Sequence, residues 1–519
     1  MAKKFNITGL CFADEHYMAD VSSKLEKTLK MVEHGDYFTI SRPRQYGKTT
    51  TLYTLTETLE NTGEYLVFNI SFEGIGDVVF QNEEQFAPTF LELLQKRLKN
   101  KEPQINTWLL KTIPTVNNFS SLSNAITELA NKSKKKVVVL IDEVDKSSNN
   151  QLFVNFLAML RNLYLDRRSN PTFHSVVLAG VHDVKSLKLK IRTDEEQKYN
   201  SPWNIATDFK VDMNLQASEI KPMLDDYVSE KGVKMDTQAI ADRLFYYTSG
   251  YPFLVSKLCK MMDEEVLPTK ETKEWTEQDL EKSVRDLVLE TNTNFENVIK
   301  NLENNPDLYE LTYQMLIEGA YRTYNIHDPL VSLGFLHGIF KNGRGLRIHN
   351  IIYEELIYQY MISKTESKMM LRNLDNRKLY ILPNNVLNME LVLRKFQAFM
   401  REQYSKKDRD FLEHNGRLVF LAFMKPILNG HGYDFKEAQI SEERRLDVTI
   451  TFYQHKYVAE LKIWYGKAAH AEGLNQLADY LDRLALTEGY LIIFDHAEVK
   501  SWNAEWINHE GKKIFMVWV

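Results

Sequence analysis

A short apolar run, Tyr37 to Ile40, leads into Ser41-Arg42-Pro43-Arg44-Gln45-Tyr46-Gly47-Lys48-Thr49-Thr50, and a helical pattern follows from Thr51 to Leu59. Strand, loop, Gly-Lys-Thr and helix in this order build a phosphate-binding loop. Gly47 lets the backbone approach an anion, and the N–H groups at the helix start face it. Lys48 can reach the terminal phosphates, and the Thr49 hydroxyl can ligate Mg²⁺. The fuller pattern places a glycine five residues before Gly47, where Arg42 stands. Gly-Lys-Thr alone is therefore a weak signal, equally compatible with a helix start bearing a surface lysine.

A second motif strengthens it. Val137-Val138-Val139-Leu140-Ile141 runs into Asp142-Glu143. Five consecutive aliphatic residues read as a strand covered on both faces, hence a central parallel strand. Carboxylates at its C-terminal end lie where α/β sheets bind ligands. Asp142 is expected to hold Mg²⁺ and Glu143 to polarise an attacking water.

The chain is 519 residues long, enough for about three domains. A net charge of −6 gives no global signal for nucleic acid, so any such site is local. Two distant cysteines, Cys11 and Cys259, argue against a disulfide or zinc framework and for a reducing compartment. No apolar run reaches membrane-spanning length, and Met-Ala-Lys-Lys-Phe-Asn lacks the apolar core of a signal peptide. A cytoplasmic protein without a membrane partner is expected.

Further strands are expected at Tyr65–Phe72, His174–Val181 and Phe209–Leu215, with helices at 24–33, 84–99, 121–131 and 152–165. Alternating strands and helices predict an α/β fold with a doubly wound parallel sheet. From Ser218 the pattern turns helical. Ser218 and Asp236 are expected helix caps, and Thr276-x-x-Asp279 reads as a capping box. Leu330–Phe340, the turn Lys341–Gly345 and Leu346–Ile348 resemble a winged-helix unit, expected to pack rather than to bind DNA, since no basic stripe accompanies it.

Residues from about 15 to 360 resemble the bacterial AAA-like ATPases of the archaeal-ATPase type, allied to the STAND class. In that group the loop commonly reads Arg-Pro-Arg-x-x-Gly-Lys-Thr without the first glycine, as Arg42 to Thr49 does here. Thr248-Ser249-Gly250-Tyr251-Pro252-Phe253-Leu254 is similar to the group's lid-helix motif. The resemblance implies ATP and Mg²⁺ as cofactors. Arg44, Gly47, Lys48, Thr49, Thr50 and Asp142 are the expected nucleotide-binding residues, with Thr49 and Asp142 as metal ligands. A polar residue of His182-Asp183 would sense the terminal phosphate. Arg167 or Arg168 could serve a neighbouring copy as an arginine finger, in a homo-oligomer.

The last part carries a second constellation. Arg444 to Phe452 and Tyr457 to Ile463 alternate as strands do. A hairpin centred between Tyr453 and Gln454 would set Asp447 opposite Glu460, about 5 Å apart. Two such carboxylates repel unless a cation bridges them, and hard oxygen ligands suit Mg²⁺. The bland alternative is an exposed hairpin with a Glu460–Lys462 salt bridge. Asp447, Glu460 and Lys462 resemble the PD-(D/E)XK nuclease pattern, in which the carboxylates bind Mg²⁺ and the lysine orients the attacking water. Glu413 matches that family's acidic residue on the preceding helix, and Gln476-x-x-x-Tyr480 its Gln-x-x-x-Tyr.

Together the resemblances imply four regions: an AAA-like P-loop core at 1–215, a helical lid and winged-helix-like region at 216–361, a helical connector at 362–405, and a restriction-endonuclease-like α/β domain at 406–519. The expected activity is a nucleotide-regulated nuclease acting on nucleic acid, DNA before RNA. The alternative is a nucleotide switch whose last domain binds without cleaving.

Overall fold

The structure is a computed structural model. It describes residues 3–98, 101–147, 151–181, 203–317, 320–343, 345–369, 380–403, 409–428, 432–436, 447–464, 467–495 and 500–519. The chain divides into two compact units, one of residues 1–301, 325–343 and 347–353, the other of 302–324, 344–346 and 354–519.

In the first unit the order is α1 (Ser22–Glu33), β1 (Tyr37–Ser41), α2 (Lys48–Asn61), β2 (Tyr65–Ser71), α3 (Glu83–Leu98), α4 (Pro103–Thr112), α5 (Phe119–Lys132), β3 (Lys136–Asp142), α6 (Gln151–Leu165) and β4 (Ser175–Gly180). The strands form a parallel sheet in the order β1-β4-β3-β2. Alternation along β3 explains why both faces are covered. Val137, Val139 and Ile141 join the core built with α3, α5 and α6. Val138 and Leu140 face the other way and are equally buried, on the side where α2 packs. On α2 the buried apolar residues are Leu52, Leu55 and Leu59, one helical stripe, each contributing about 1.5–3 kcal/mol of burial. The chain leaves β1 for the far strand β2 and then returns through β3 and β4. The C-terminal ends of β1, β4 and β3 therefore gather around one crevice.

The strand expected at Phe209–Leu215 does not form. Val211, Met213 and Leu215 are buried in alternation, as a strand requires, yet the ladder is reduced to an isolated bridge between Phe38 and Thr207. The backbone groups go elsewhere. The Arg42 guanidinium donates to the Val211 carbonyl at 2.8 Å, and the Leu215 N–H donates to the Gly250 carbonyl at 2.8 Å.

The helical part comprises α7 (Ala217–Lys231), α8 (Thr237–Thr248), α9 (Pro252–Met261), α10 (Glu277–Leu289) and α11 (Thr293–Glu303). Asp236 caps α8 and the Thr276–Asp279 box caps α10, as expected. Ser218 does not cap α7, which begins one residue before it. The Glu219 carboxylate reaches back to the Gln216 N–H at 2.7 Å. Next come α12 (Pro306–Leu316), α13 (Pro329–Leu336), the short strands β5 (Phe340–Gly343) and β6 (Gly345–Ile348), and α14 (Ile351–Met369).

The second unit continues with β7 (Ile381–Leu382), β8 (Val386–Leu387), α15 (Met389–Gln403), α16 (Arg409–Leu428), β9 (Gly432–Lys436), β10 (Asp447–Phe452), β11 (His455–Ile463), α17 (Lys467–Arg483), β12 (Glu488–Phe494), β13 (Ala504–His509) and β14 (Lys512–Trp518). Six of these strands form a mixed sheet in the order β13-β14-β12-β11-β10-β9. The helix α17 joins the parallel pair β11 and β12, and its Leu474, Leu477 and Leu481 bury one face against Val458, Leu491 and Ile493. No described helix is long and apolar enough to cross a membrane.

Candidate functional site

Gly47 caps α2 in the left-handed region, at φ 77°. An added Cβ there would meet nothing within 4 Å, so the glycine answers a backbone demand and not a shortage of space. Gln45, two residues earlier, also has positive φ, at 56°. Such strain concentrates where a ligand must be met. Lys48 follows at the first helical position with only 6% of its surface exposed. Its ammonium donates to the carbonyls of Arg42 (3.0 Å) and Pro43 (2.8 Å), so it lies curled under its own loop. Burial pulls its pKa down, opposed by the carboxylates of Glu143, Asp145 and Asp142.

The two sequence motifs meet here. The Thr49 hydroxyl donates to Asp142 Oδ2 at 2.6 Å, and Asp142 Oδ1 accepts the Glu143 N–H at 2.9 Å. Thr49 and Asp142 thus present two adjacent oxygens, the donor set that Mg²⁺ takes beside phosphates and water. Glu143 has φ 54° and is half-buried. Burial, then the charge of Asp142, raises its pKa toward the range useful to a general base. Thr50 is engaged otherwise: its hydroxyl accepts the Cys11 N–H at 3.3 Å, pinning the leader.

Arg42 stands where the fuller pattern has glycine, and its guanidinium is held by the Ser41 and Val211 carbonyls and rests 5.6 Å from the centre of the Phe209 ring. Three further residues brace the loop, and sequence reasoning had not placed them there. Tyr251 of the lid-like motif donates to the Arg44 carbonyl at 2.6 Å and meets the Tyr46 ring edge-on. The Tyr46 hydroxyl bonds to the Asn214 side chain and lies 3.1 Å from His349 Nε2. Burial depresses the His349 pKa to about 3, so the ring is neutral. In the sequence, a histidine at position 349 and a tyrosine between Gly250 and Pro252 were the signals at hand.

Arg167 and Arg168 are exposed, with the Arg167 guanidinium stacked 3.7 Å from the centre of the Tyr164 ring. His182 and Asp183 lie outside the described residues.

In the second unit Asp447 pairs with Glu460 in the antiparallel register, and Phe452 pairs with His455, leaving Tyr453-Gln454 as the turn. This is the expected hairpin. The turn succeeds without glycine because Tyr453 adopts φ 53°. Glu460 is 1% exposed and Lys462 22%, and they pair at 2.9 Å, so this is no surface salt bridge. Lys462 also donates to Gln476 Oε1 at 2.8 Å, across to α17. Gly473 permits that approach, since a Cβ there would lie 3.3 Å from Lys462 Cγ. Tyr480 brings its hydroxyl to 3.4 Å from Thr449 Oγ1. The Arg417 guanidinium, from α16, feels the charge of Glu460, and burial lowers its pKa. The side chains of Asp447 and Glu413 lie outside the described residues. Among the described residues no group of three or more His, Cys, Asp or Glu comes together as a metal cage.

A family model described as an AAA-like domain matches residues 12–323. Similar solved structures include the Walker-type ATPase PABY2304 of Pyrococcus abyssi, 12% identical, with TM-score 0.46 over 68% of this chain and 99% of that one. The ORC1 protein of Aeropyrum pernix in complex with DNA is 12% identical, with TM-score 0.31 over 66% of this chain and 93% of that one. The RuvB Holliday junction branch migration motor of Thermotoga maritima is 15% identical, with TM-score 0.33 over 66% and 96%. No curated protein matches the chain.

Proposed function

Since the chain belongs to the AAA-like domain family, with a P-loop ATPase fold in its first unit, we propose that it binds and hydrolyses ATP and that its last domain is a Mg²⁺-dependent nuclease of the PD-(D/E)XK type. The observation that carries the first half is the 2.6 Å bond between Thr49 and Asp142, with Lys48 beside them. The second half rests on the register that sets Asp447 opposite Glu460, with Lys462 bound to both Glu460 and Gln476.

In the ATPase site the Gly47–Thr49 backbone and Lys48 bind phosphates. Thr49 and Asp142 would hold Mg²⁺, which when bound would supply positive charge beside the phosphate oxygens. Glu143 accepts the proton of the attacking water. In the nuclease site Asp447 and Glu460 would hold a metal ion that acidifies water. Lys462, kept in place by Gln476, orients that water toward a phosphodiester of DNA. Glu413 is the candidate for a further carboxylate. Exposed Arg167 and Arg168 suit contact with a second copy, in a homo-oligomer. A nucleotide-gated switch without cleavage is the second reading, favoured by the bonds from the loop to Tyr251 and His349, both far along the chain.

The test is cleavage of plasmid, linear DNA and RNA with Mg²⁺, with and without ATP, by wild type, Asp447→Ala and Lys48→Ala. Cleavage lost in Asp447→Ala and altered in Lys48→Ala supports a coupled nuclease. No cleavage, with ATP turnover that depends on Lys48, supports the switch.

A further inference from the structure

The six-stranded sheet of the second unit ends on β13. Its register with β14 runs unbroken from Ala504–Val517 to His509–Lys512. Two observations fix which backbone groups that ladder uses. The Trp518 N–H donates to the Asn503 carbonyl at 2.9 Å, one pair before the strand. At the other end the turn is Glu510-Gly511, with φ 49° and 76°, the two-residue kind that a hydrogen-bonded pair closes, here His509–Lys512. Bonded pairs therefore fall at residues 503, 505, 507 and 509. The N–H and C=O groups of Ala504, Trp506 and Asn508 point the other way, and among the described residues none bonds to them.

Edge strands are usually blunted by lysine, proline or a bulge. β13, Ala504-Glu505-Trp506-Ile507-Asn508-His509, has none of these. It carries an aromatic row to the border instead. Tyr490, Phe515 and Trp506 stand side by side on β12, β14 and β13. The Trp506 ring centre lies 5.1 Å from that of Phe515 and 6.1 Å from that of Tyr490. There the row stops, with Trp506 40% exposed and its indole N–H fixed to Glu390 Oε2 at 2.8 Å.

We propose that β13 pairs antiparallel with β13 of a second copy, centred on Ile507, and joins the two sheets into one. The outward groups and the charges restrict the register. Centring on Glu505 sets two carboxylates face to face, and centring on Trp506 sets Glu505 opposite Ile507. Centring on Ile507 sets Ile507 opposite its own copy and Glu505 opposite His509, an acid against a basic ring. It also sets Trp506 opposite Asn508 twice, and each of these pairs exchanges two backbone bonds through the outward groups. The copies are related by a two-fold axis perpendicular to the sheet, so the contact is self-complementary and closes at two. Both then carry Glu460 and Lys462 on the same face of one sheet. The pairing does not depend on the chemistry of either proposed site.

The test uses the full-length protein without nucleotide, in sedimentation equilibrium at micromolar concentration. Wild type is expected to be a dimer. Asn508→Pro removes an outward N–H and spares the bonds to β14. It is expected to raise the dimer dissociation constant on the order of tenfold or more, with far-ultraviolet circular dichroism unchanged. Ile507→Cys gives an independent reading. Facing its own copy across a non-hydrogen-bonded pair, it is expected to cross-link under mild oxidation. Glu505→Cys, and wild type with its Cys11 and Cys259, are expected not to. A monomeric wild type overturns the proposal and leaves the edge to a strand of another protein. A dimer that survives Asn508→Pro, and in which Ile507→Cys forms no cross-link, overturns it too, because that dimer uses another face.

Discussion

The hydroxyl of Tyr251 is bonded to the carbonyl of Arg44, 207 residues earlier in the chain, at 2.6 Å. The loop is thus held from outside by the residue that opens α9. Removing only that oxygen, in Tyr251→Phe, keeps the ring on Tyr46 and orphans a loop carbonyl. The expected cost is about 1 kcal/mol of stability, with nucleotide affinity reduced several-fold. Urea denaturation and nucleotide titration would check it, and a variant indistinguishable from wild type in both would remove the brace from the account.

Glu143 sits in a strained backbone conformation with a raised pKa, next to Asp142. Glu143→Gln keeps its size and removes its basicity. ATP turnover is expected to drop by roughly 10²–10⁴, the usual weight of a general base, with ATP still bound. Steady-state turnover alongside equilibrium binding separates the two effects. A variant that turns over normally would move the base elsewhere.

His349 titrates at about 3 in the folded chain because burial disfavours its cation. Unfolded, it titrates near 6.5. Above pH 6.5 both states are neutral and it contributes no pH dependence. Between pH 6.5 and about 3 the unfolded state binds the extra proton, so stability falls as pH falls, by about 2 kcal/mol at pH 5. Lys341 raises this penalty, and Tyr46 faces the ring without competing, because burial raises its own pKa. Denaturation of wild type and His349→Gln at pH 7 and pH 5 isolates the contribution of this ring. Equal losses in the two proteins would exclude His349 as its source.

Gln476, on α17, holds Lys462 of β11. On the nuclease reading, Gln476→Ala is expected to slow cleavage by about 10–100-fold, the usual cost of losing a group that orients an active one. Lys462→Ala should be at least as severe, and Gln476→Glu should retain more than Gln476→Ala. Cleavage rates under single-turnover conditions decide this, and full activity in Gln476→Ala would detach the helix from the chemistry.

How much of this the sequence disclosed depends on the range of the interactions. The pairing of Asp447 with Glu460 was legible because two alternating strands and a short turn leave one register that buries Val448, Ile450 and Phe452 together. The meeting of Thr49 with Asp142 was legible because each motif sits at the end of an apolar strand. Phe209–Leu215 carried a strand's pattern but lost its ladder to a side chain and to Gly250, choices that no local pattern encodes. The Ser218 cap failed for a smaller reason. Glu219 reaches Gln216, so the helix starts a residue early. Tyr251, Asn214 and His349 reach Arg44 or Tyr46 from more than 160 residues away, and only tertiary folding brings them there.

Position 42 has an implication for anyone engineering this chain. Judged by motif, Arg42→Gly would be an improvement, since it completes the phosphate-loop pattern. In the folded protein Arg42 fastens the segment beyond Thr207 to the rim of the sheet. The repaired motif would release that segment, so here a better score against a consensus and a better protein are opposite goals.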